Sequence, residues 1–124
     1  MCLSGAGCLD VSNWIQYLNA FERTAEFDRW LGVLRDRKAQ ARILARIISA
    51  QHGNFGDCKA VGEGVSEMRI DVGPGYRVYF MRRGETVYLL LAGGDKSTQA
   101  RDILRAKGMA REIKAREIKA ADER

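Results

Sequence analysis

The stretch Val65-Ser66-Glu67-Met68-Arg69-Ile70-Asp71-Val72-Gly73-Pro74-Gly75-Tyr76-Arg77-Val78-Tyr79-Phe80-Met81 decides the fold. Two runs of alternating apolar and polar residues flank the chain's single proline, the period-2 pattern of half-buried strands joined by a turn. Met68, Ile70 and Val72 share one face, against Glu67, Arg69 and Asp71 on the other. In the second run Tyr76, Val78 and Phe80 stand opposite Arg77, Tyr79 and Met81. Register then decides which side chains meet. A three-residue Gly73-Pro74-Gly75 loop pairs Val72 with Tyr76, Ile70 with Val78 and Met68 with Phe80, keeping the apolar face whole. A two-residue loop would set Val72 against Arg77 and mix the faces. The three-residue register places Asp71 beside Arg77, Arg69 beside Tyr79 and Glu67 beside Met81. It gathers Glu67, Arg69, Asp71, Arg77 and Tyr79 on the sheet face away from the core.

Two readings of that face stand side by side. In one it is a solvated surface with Asp71 and Arg77 as a cross-strand ion pair. In the other it suits a phosphodiester, because the planar guanidinium matches phosphate oxygens with paired donors. When a ribose 2′-hydroxyl attacks the adjacent phosphate, negative charge builds on the phosphorus oxygens, and fixed cations stabilise it without reorganising. Glu67 is then the candidate acceptor of the hydroxyl proton, and Tyr79 a group that hydrogen-bonds or stacks on a base.

Outward from the hairpin, Trp14 to Leu18 has strand character, and Thr24 can cap a helix whose stripe is Phe27, Trp30, Leu31 and Leu34. Arg35-Asp36-Arg37 forms the corner to a second helix, about Lys38 to Gln51, with Ile43, Ile47 and the flanking Ala39, Leu44 and Ile48 as its core face. Gly53-Asn54-Phe55-Gly56-Asp57 ends it, since Gly and Asn tolerate the positive φ that closes a helix. Thr86 to Ala92 is nearly continuous apolar sequence, the mark of a strand buried on both faces. Gly93-Gly94-Asp95 then turns the backbone and displays Lys96, Ser97 caps a last helix, and Ala-Arg-Glu-Ile-Lys occurs twice between Ala110 and Lys119. The doubled run is most simply a charged surface helix, with Ile113 and Ile118 as an alternative partner-binding pair. Strand, helical hairpin, strands and a closing helix make an α+β domain.

At 124 residues the chain is long enough for one domain with its own core, expected over 13–124 after a disordered tail over 1–12. A single histidine excludes a catalytic histidine pair and a His-rich metal site. His52 is read either as a helix-end residue favoured by the dipole or as a general acid. Cys2, Cys8 and Cys58 form no C-x-x-C pair and are expected as free thiols, with Cys58 a strand thiol rather than a nucleophile. No apolar segment precedes Cys8 as a lipoprotein signal needs, and no window approaches the roughly 20 apolar residues of a membrane span. A cytoplasmic protein without membrane contact, metal or cofactor is expected. The net charge of +5 points to an acidic partner. Part of it is concentrated in Arg35, Arg37, Lys38, Arg42 and Arg46, opposed in that stretch only by Asp36. Gly93-Gly94-Asp95-Lys96-Ser97 lacks the spacing of a Walker A loop.

Several runs together resemble one family: Phe27-Asp28-Arg29-Trp30-Leu31, Ala41-Arg42-Ile43, Gly53-Asn54-Phe55-Gly56-Asp57, Gly64-Val65-Ser66-Glu67-Met68-Arg69-Ile70, Gly73-Pro74-Gly75-Tyr76-Arg77-Val78-Tyr79 and Gly93-Gly94-Asp95-Lys96-Ser97-Thr98-Gln99. Over about residues 14 to 110 the chain is similar to the RelE/ParE toxin superfamily, more narrowly to the HigB-like addiction module killers of type II toxin–antitoxin systems. The resemblance implies a RelE-like fold, a twisted antiparallel sheet with an N-terminal helical hairpin and a C-terminal helix. It implies one of two activities, a metal-independent endoribonuclease (mRNA interferase) that cuts mRNA on the ribosome and stops translation, or a ParE-like inhibitor of DNA gyrase. It also implies a cognate antitoxin, expected to carry a helix-turn-helix. Arg77 falls where the nucleases carry a phosphate-contacting arginine, Lys96 near a second catalytic cation, and Glu67 and Arg69 in a strand that supplies further catalytic or RNA-contacting groups. On this reading Arg77, Lys96 and Glu67 are catalytic and Arg69 and Tyr79 bind RNA, while Arg35, Arg37, Lys38, Arg42 and Arg46 grip ribosomal RNA electrostatically. The chain departs from many of the nucleases in having neither His nor Tyr after Tyr88.

Overall fold

The structure is a computed structural model and describes residues 19–123. The tail expected over 1–12 and the strand expected over Trp14–Leu18 lie outside the described residues, as do Cys2 and Cys8. In chain order the elements are β1 (Ala20–Arg23), α1 (Ala25–Val33), α2 (Arg37–Gln51), β2 (Cys58–Gly62), β3 (Val65–Ile70), β4 (Tyr76–Arg82) and β5 (Val87–Asp95). A 3-10 turn, Lys96–Thr98, then leads into α3 (Gln99–Asp122). The strands form one five-stranded sheet in the order β1-β5-β4-β3-β2. The α+β class holds, with one correction. The sheet is mixed rather than antiparallel, because the short edge strand β1 runs parallel to β5.

Local chemistry sets the helix starts. The Thr24 hydroxyl accepts the Phe27 amide at 3.1 Å and donates to the Leu91 carbonyl, pinning the head of α1 to β5. Asp36 accepts the Ala39 amide at 3.1 Å and caps α2. Such caps satisfy amides that have no partner within the helix. Both helices lie on one sheet face, where Phe27, Leu31, Ala39, Ile43, Ile47 and Ala50 pack on Met68, Ile70, Tyr76, Val78, Phe80 and Leu90. Leu44 and Ile48, expected in that core, are exposed instead, since the buried side of α2 runs through Ala39, Ile43, Ile47 and Ala50.

The hairpin register corrects the sequence reading. Ile70 pairs with Tyr76, Met68 with Val78, Arg69 with Arg77 and Glu67 with Tyr79, so five residues rather than three form the loop. The Val72 amide donates to the Ile70 carbonyl and the Gly75 amide to the Val72 carbonyl, two successive turns that take Asp71 and Val72 out of the ladder. Gly73 and Gly75, at φ 55° and 80°, supply the left-handed backbone these turns require. The slip is two residues, so each side chain keeps its face.

The far face is not open along its length. α3 crosses it, and Ala106 and Ala110, with Ile103, Met109 and Ile113, pack on Val65, Tyr79, Met81, Leu89 and Leu91. β5 is therefore buried on both sides as its apolar run requires, Leu90 toward α1 and α2, Leu89 and Leu91 toward α3. Gly93 and Gly94 lie inside β5 and do not turn the chain into the last helix. A Cβ on Gly93 would come within 2.2 Å of the Trp30 ring, and one on Gly94 within 1.9 Å of Asp102 Oδ2. Both layers thus approach the backbone closely at adjacent residues. Ser97 is not the cap of α3. Its amide and hydroxyl donate to Asp95, which caps the 3-10 turn, and Thr98 precedes α3. Of the doubled run, the first copy packs through Ala110 and Ile113, while Ile118 stays exposed. No helix among the described residues is long and apolar enough to cross a membrane.

Candidate functional site

Where α3 does not reach, the far face opens into a groove of about 290 Å³ lined by Asp57, Arg69, Ile70, Asp71, Gly75, Arg77 and Lys96. Three of the expected residues, Arg69, Arg77 and Lys96, are brought together there. Arg69 and Arg77 are direct partners across β3 and β4, an arrangement of like charges that costs stability. Arg69 is compensated on one side by Glu67, Nε to Oε1 at 3.2 Å. The Nε of Arg77 is buried without a hydrogen-bond partner among the described residues. Lys96 is exposed at the head of the 3-10 turn, its Cβ beside the loop residue Gly75. The Asp95 cap fixes that turn, and the bonds from Ser97 hold its carboxyl below the ordinary carboxylate range.

Glu67 and Tyr79 occupy the covered half of the same face, and the solvent-facing roles expected of them do not fit their places. Glu67 is fully buried beneath α3 and accepts three hydrogen bonds, from Arg69 Nε, from the Tyr79 hydroxyl at 3.0 Å and from Gln99 Nε2 at 2.8 Å. Burial pushes its carboxyl up. The donors Gln99, Arg69 and Tyr79 and the Arg77 charge outweigh burial and hold it below the usual value. A low, fully bonded carboxylate is suited to holding Arg69 rather than to taking a proton. The Tyr79 ring is likewise fully buried, so it cannot stack on a base. Burial and the Glu67 carboxylate push its phenol well above its ordinary value. Gln99, to which the sequence reading gives no role, completes this network from α3, and no spacing in the sequence links it to Glu67, 32 residues away.

The basic stretch divides in two. Arg35, Arg37, Lys38 and Arg42 are exposed. Asp36, between the first two, lies 3.9 Å from where Gly73 would carry a Cβ, so this corner adjoins the hairpin loop at one end of the groove. Arg46, expected to grip RNA with them, is spent on structure. Its guanidinium donates to the carbonyls of Arg69, Phe55 and Asp57 and ties the loop before β2 to β3. Asp102, on α3, is buried against Gly94 and accepts from Thr98 and Arg105. His52 caps α2 and does not line the groove, and its Nδ1 lies 2.9 Å from the Ile48 carbonyl. Cys58 donates to the Phe55 carbonyl, and burial pushes its thiol up, which fits a strand thiol and not a nucleophile. Among the described residues no three His, Cys, Asp or Glu side chains are grouped as metal ligands.

No protein-family model matches the chain. It is 51% identical over 90 residues to a Haemophilus influenzae protein described as an uncharacterized protein, an alignment covering 73% of this chain and 91% of that one. At that identity and coverage, this chain belongs to the same protein family as the Haemophilus influenzae protein.

Proposed function

We propose that this protein is the toxin of a type II toxin–antitoxin module, a HigB-like member of the RelE/ParE superfamily that cuts mRNA on the ribosome without a metal. The observation that carries this reading is the convergence of Arg69, Arg77 and Lys96 on one groove, with the Nε of Arg77 buried and unpaired. Leaving a charged donor unsatisfied and two guanidiniums adjacent costs free energy in the free protein. A phosphate placed between them repays that cost. In the cleavage step the 2′-oxygen bonds to phosphorus, the 5′-oxygen leaves, and the charge gathering on the non-bridging oxygens meets cations already in place. Glu67 acts here as a positioning residue, since its hydrogen bond orients Arg69. Arg35, Arg37, Lys38 and Arg42 supply a salt-sensitive grip on ribosomal RNA. The natural partner is a small antitoxin with a helix-turn-helix, one segment of which covers the arginine-lined groove.

Mapping the 5′ ends of cellular mRNA after expression of wild type, Arg77→Ala and Lys96→Ala tests the reading. The wild type is expected to be toxic and to leave cut transcripts, and both variants to lose both effects. Equal toxicity of all three with intact transcripts would overturn it.

One observation favours inhibition of DNA gyrase instead. Glu67, Tyr79, Asp95 and Asp102 are all engaged in internal hydrogen bonds, and neither His nor Tyr follows Tyr88. That reading expects loss of DNA supercoiling by purified gyrase while transcripts stay whole. Unimpaired gyrase in that assay removes it.

A further inference from the structure

If the groove cleaves RNA, a group must accept the 2′-hydroxyl proton, and Glu67 is not placed to do so. The β2–β3 ladder pairs Lys59 with Glu67 and Cys58 with Met68, and the Arg69 amide continues it by donating to the Asp57 carbonyl at 2.9 Å. Alternation across that ladder puts Asp57 on the face of Glu67 and Arg69, next to Arg69. Arg69 in turn pairs with Arg77, and Arg77 with Gly94 of β5, the strand that leads into Lys96. A row therefore crosses the sheet: a carboxylate at one end, two guanidiniums in the middle, an ammonium beyond.

Asp57 is the groove carboxylate that the fold holds most firmly. The Arg46 guanidinium bonds the carbonyls of Phe55 and Asp57 from behind and that of Arg69 beside it. Phe55 anchors the loop in a cluster of rings with Phe21, Phe80 and Tyr88. Gly56, at φ 65°, leaves room for Arg46 where a Cβ would come within 2.7 Å of it. These anchors grip backbone and neighbours, and the Asp57 carboxylate itself receives no hydrogen bond or ion pair from any described residue. Asp71 also lines the groove, but its loop is closed only by its own local turns. Asp57 is exposed, so an uncommitted carboxylate on an anchored backbone faces solvent beside a cation pair, the placement a general base needs.

We propose that Asp57 is the proton acceptor of the cleavage step, an inference that rests on the nuclease reading above. The 2′-hydroxyl gives its proton to the Asp57 carboxylate as the O2′–P bond forms, with Arg69 and Arg77 on the non-bridging oxygens. The P–O5′ bond breaks on the opposite side, and the 5′-oxygen takes a proton from the Lys96 ammonium. The products are a 2′,3′-cyclic phosphate and a 5′-hydroxyl, and exchange with water returns both side chains to their starting states. Placing base and acid at opposite ends of the row suits a displacement in which attacking and leaving oxygens lie in line.

The test uses the purified full chain on mRNA bound to programmed ribosomes, measuring the single-turnover cleavage rate at saturation and, separately, the dissociation constant. Asp57→Asn is expected to cut about 100-fold slower or worse, the scale of a lost general base, while binding within about twofold of wild type. Asp57→Ala should be equally slow and recover rate with added formate, which a purely structural defect would not. Glu85→Gln, in the exposed turn before β5 and away from the groove, should stay within about threefold of wild type. Asp57→Asn cutting at the wild-type rate, or weakened binding with an unchanged saturating rate, overturns the proposal while leaving the nuclease reading intact. A wild type that cuts nothing overturns both.

Discussion

The sheet face carrying Glu67, Arg69, Arg77 and Tyr79 is one surface by strand alternation and two environments by coverage. Under α3, Glu67 and Tyr79 are buried and bonded to each other and to Gln99. Two residues along, Arg69 keeps a third of its side chain exposed, against 1% for Glu67, and shares an open groove with Arg77 and Lys96. The covered half spends its polar groups on one another and stabilises the fold. The open half keeps like charges adjacent and one guanidinium nitrogen without a partner among the described residues, at a cost in stability. Burial, not residue type, separates the two.

The comparison breaks most sharply at Arg77. Arg77→Ala should lower mRNA cleavage by about 100- to 1,000-fold, the scale of a lost transition-state donor. The same change should leave stability to urea unchanged or raise it by up to about 1 kcal/mol, since it relieves the repulsion with Arg69. A variant that loses activity because it melts early would show that the open half is structural after all.

Packing around the boundary should behave in the opposite way. Gly93→Ala drives a methyl into the Trp30 ring, which already packs against the rings of Phe27 and Tyr76. It should cost about 3 kcal/mol, the upper end of the usual range for overpacking, read as a shifted urea midpoint. Gly94→Ala should do nearly the same through Asp102 on the other face.

In the covered half, Glu67→Ala strands the Tyr79 hydroxyl and the Gln99 amide without an acceptor. It should cost about 2 kcal/mol, the scale of lost hydrogen bonds to a buried charge. The pH dependence has a definite sign. The Glu67 carboxyl is held below its ordinary value in the fold, so its contribution is complete above the unfolded value of about 4.3. It is lost as pH falls through the folded value. Wild-type melting temperature should therefore drop on acidification below about pH 5, and Glu67→Gln should flatten part of that drop. Identical acid profiles for the two proteins would mean Glu67 is not held in this way.

Smallest is the effect expected at the exposed corner. Arg42→Ala should leave stability within about 0.5 kcal/mol. It should reduce the slope of ribosome affinity against salt by about one. Titrating binding against salt concentration separates this role from that of Arg77.

The sequence alone was enough for the local decisions. Thr24 and the corner around Asp36 mark helix starts because an oxygen three residues ahead of a free amide is a local geometry. Leu89-Leu90-Leu91 has no polar face and must be buried on both sides. The faces of Arg69 and Arg77 follow from alternation, and they survived a register error because that error was an even number of residues. Tertiary structure alone decided what covers each face. The stripe Ile103, Ala106, Ala110, Ile113 carries a signal for α3 packing, but small alanines among charges resemble a surface helix, and nothing local names the strand residues beneath them. Once α3 settles on Tyr79, the Glu67 carboxylate is withdrawn from solvent, and the groove keeps Asp57, Arg69, Arg77 and Lys96, with Asp71 of the hairpin loop beside them. Those four come from the loop before β2, from β3, from β4 and from the turn after β5. Alternation places a residue on a face, whereas contact between distant segments depends on how the layers pack, and that is a property of the whole chain.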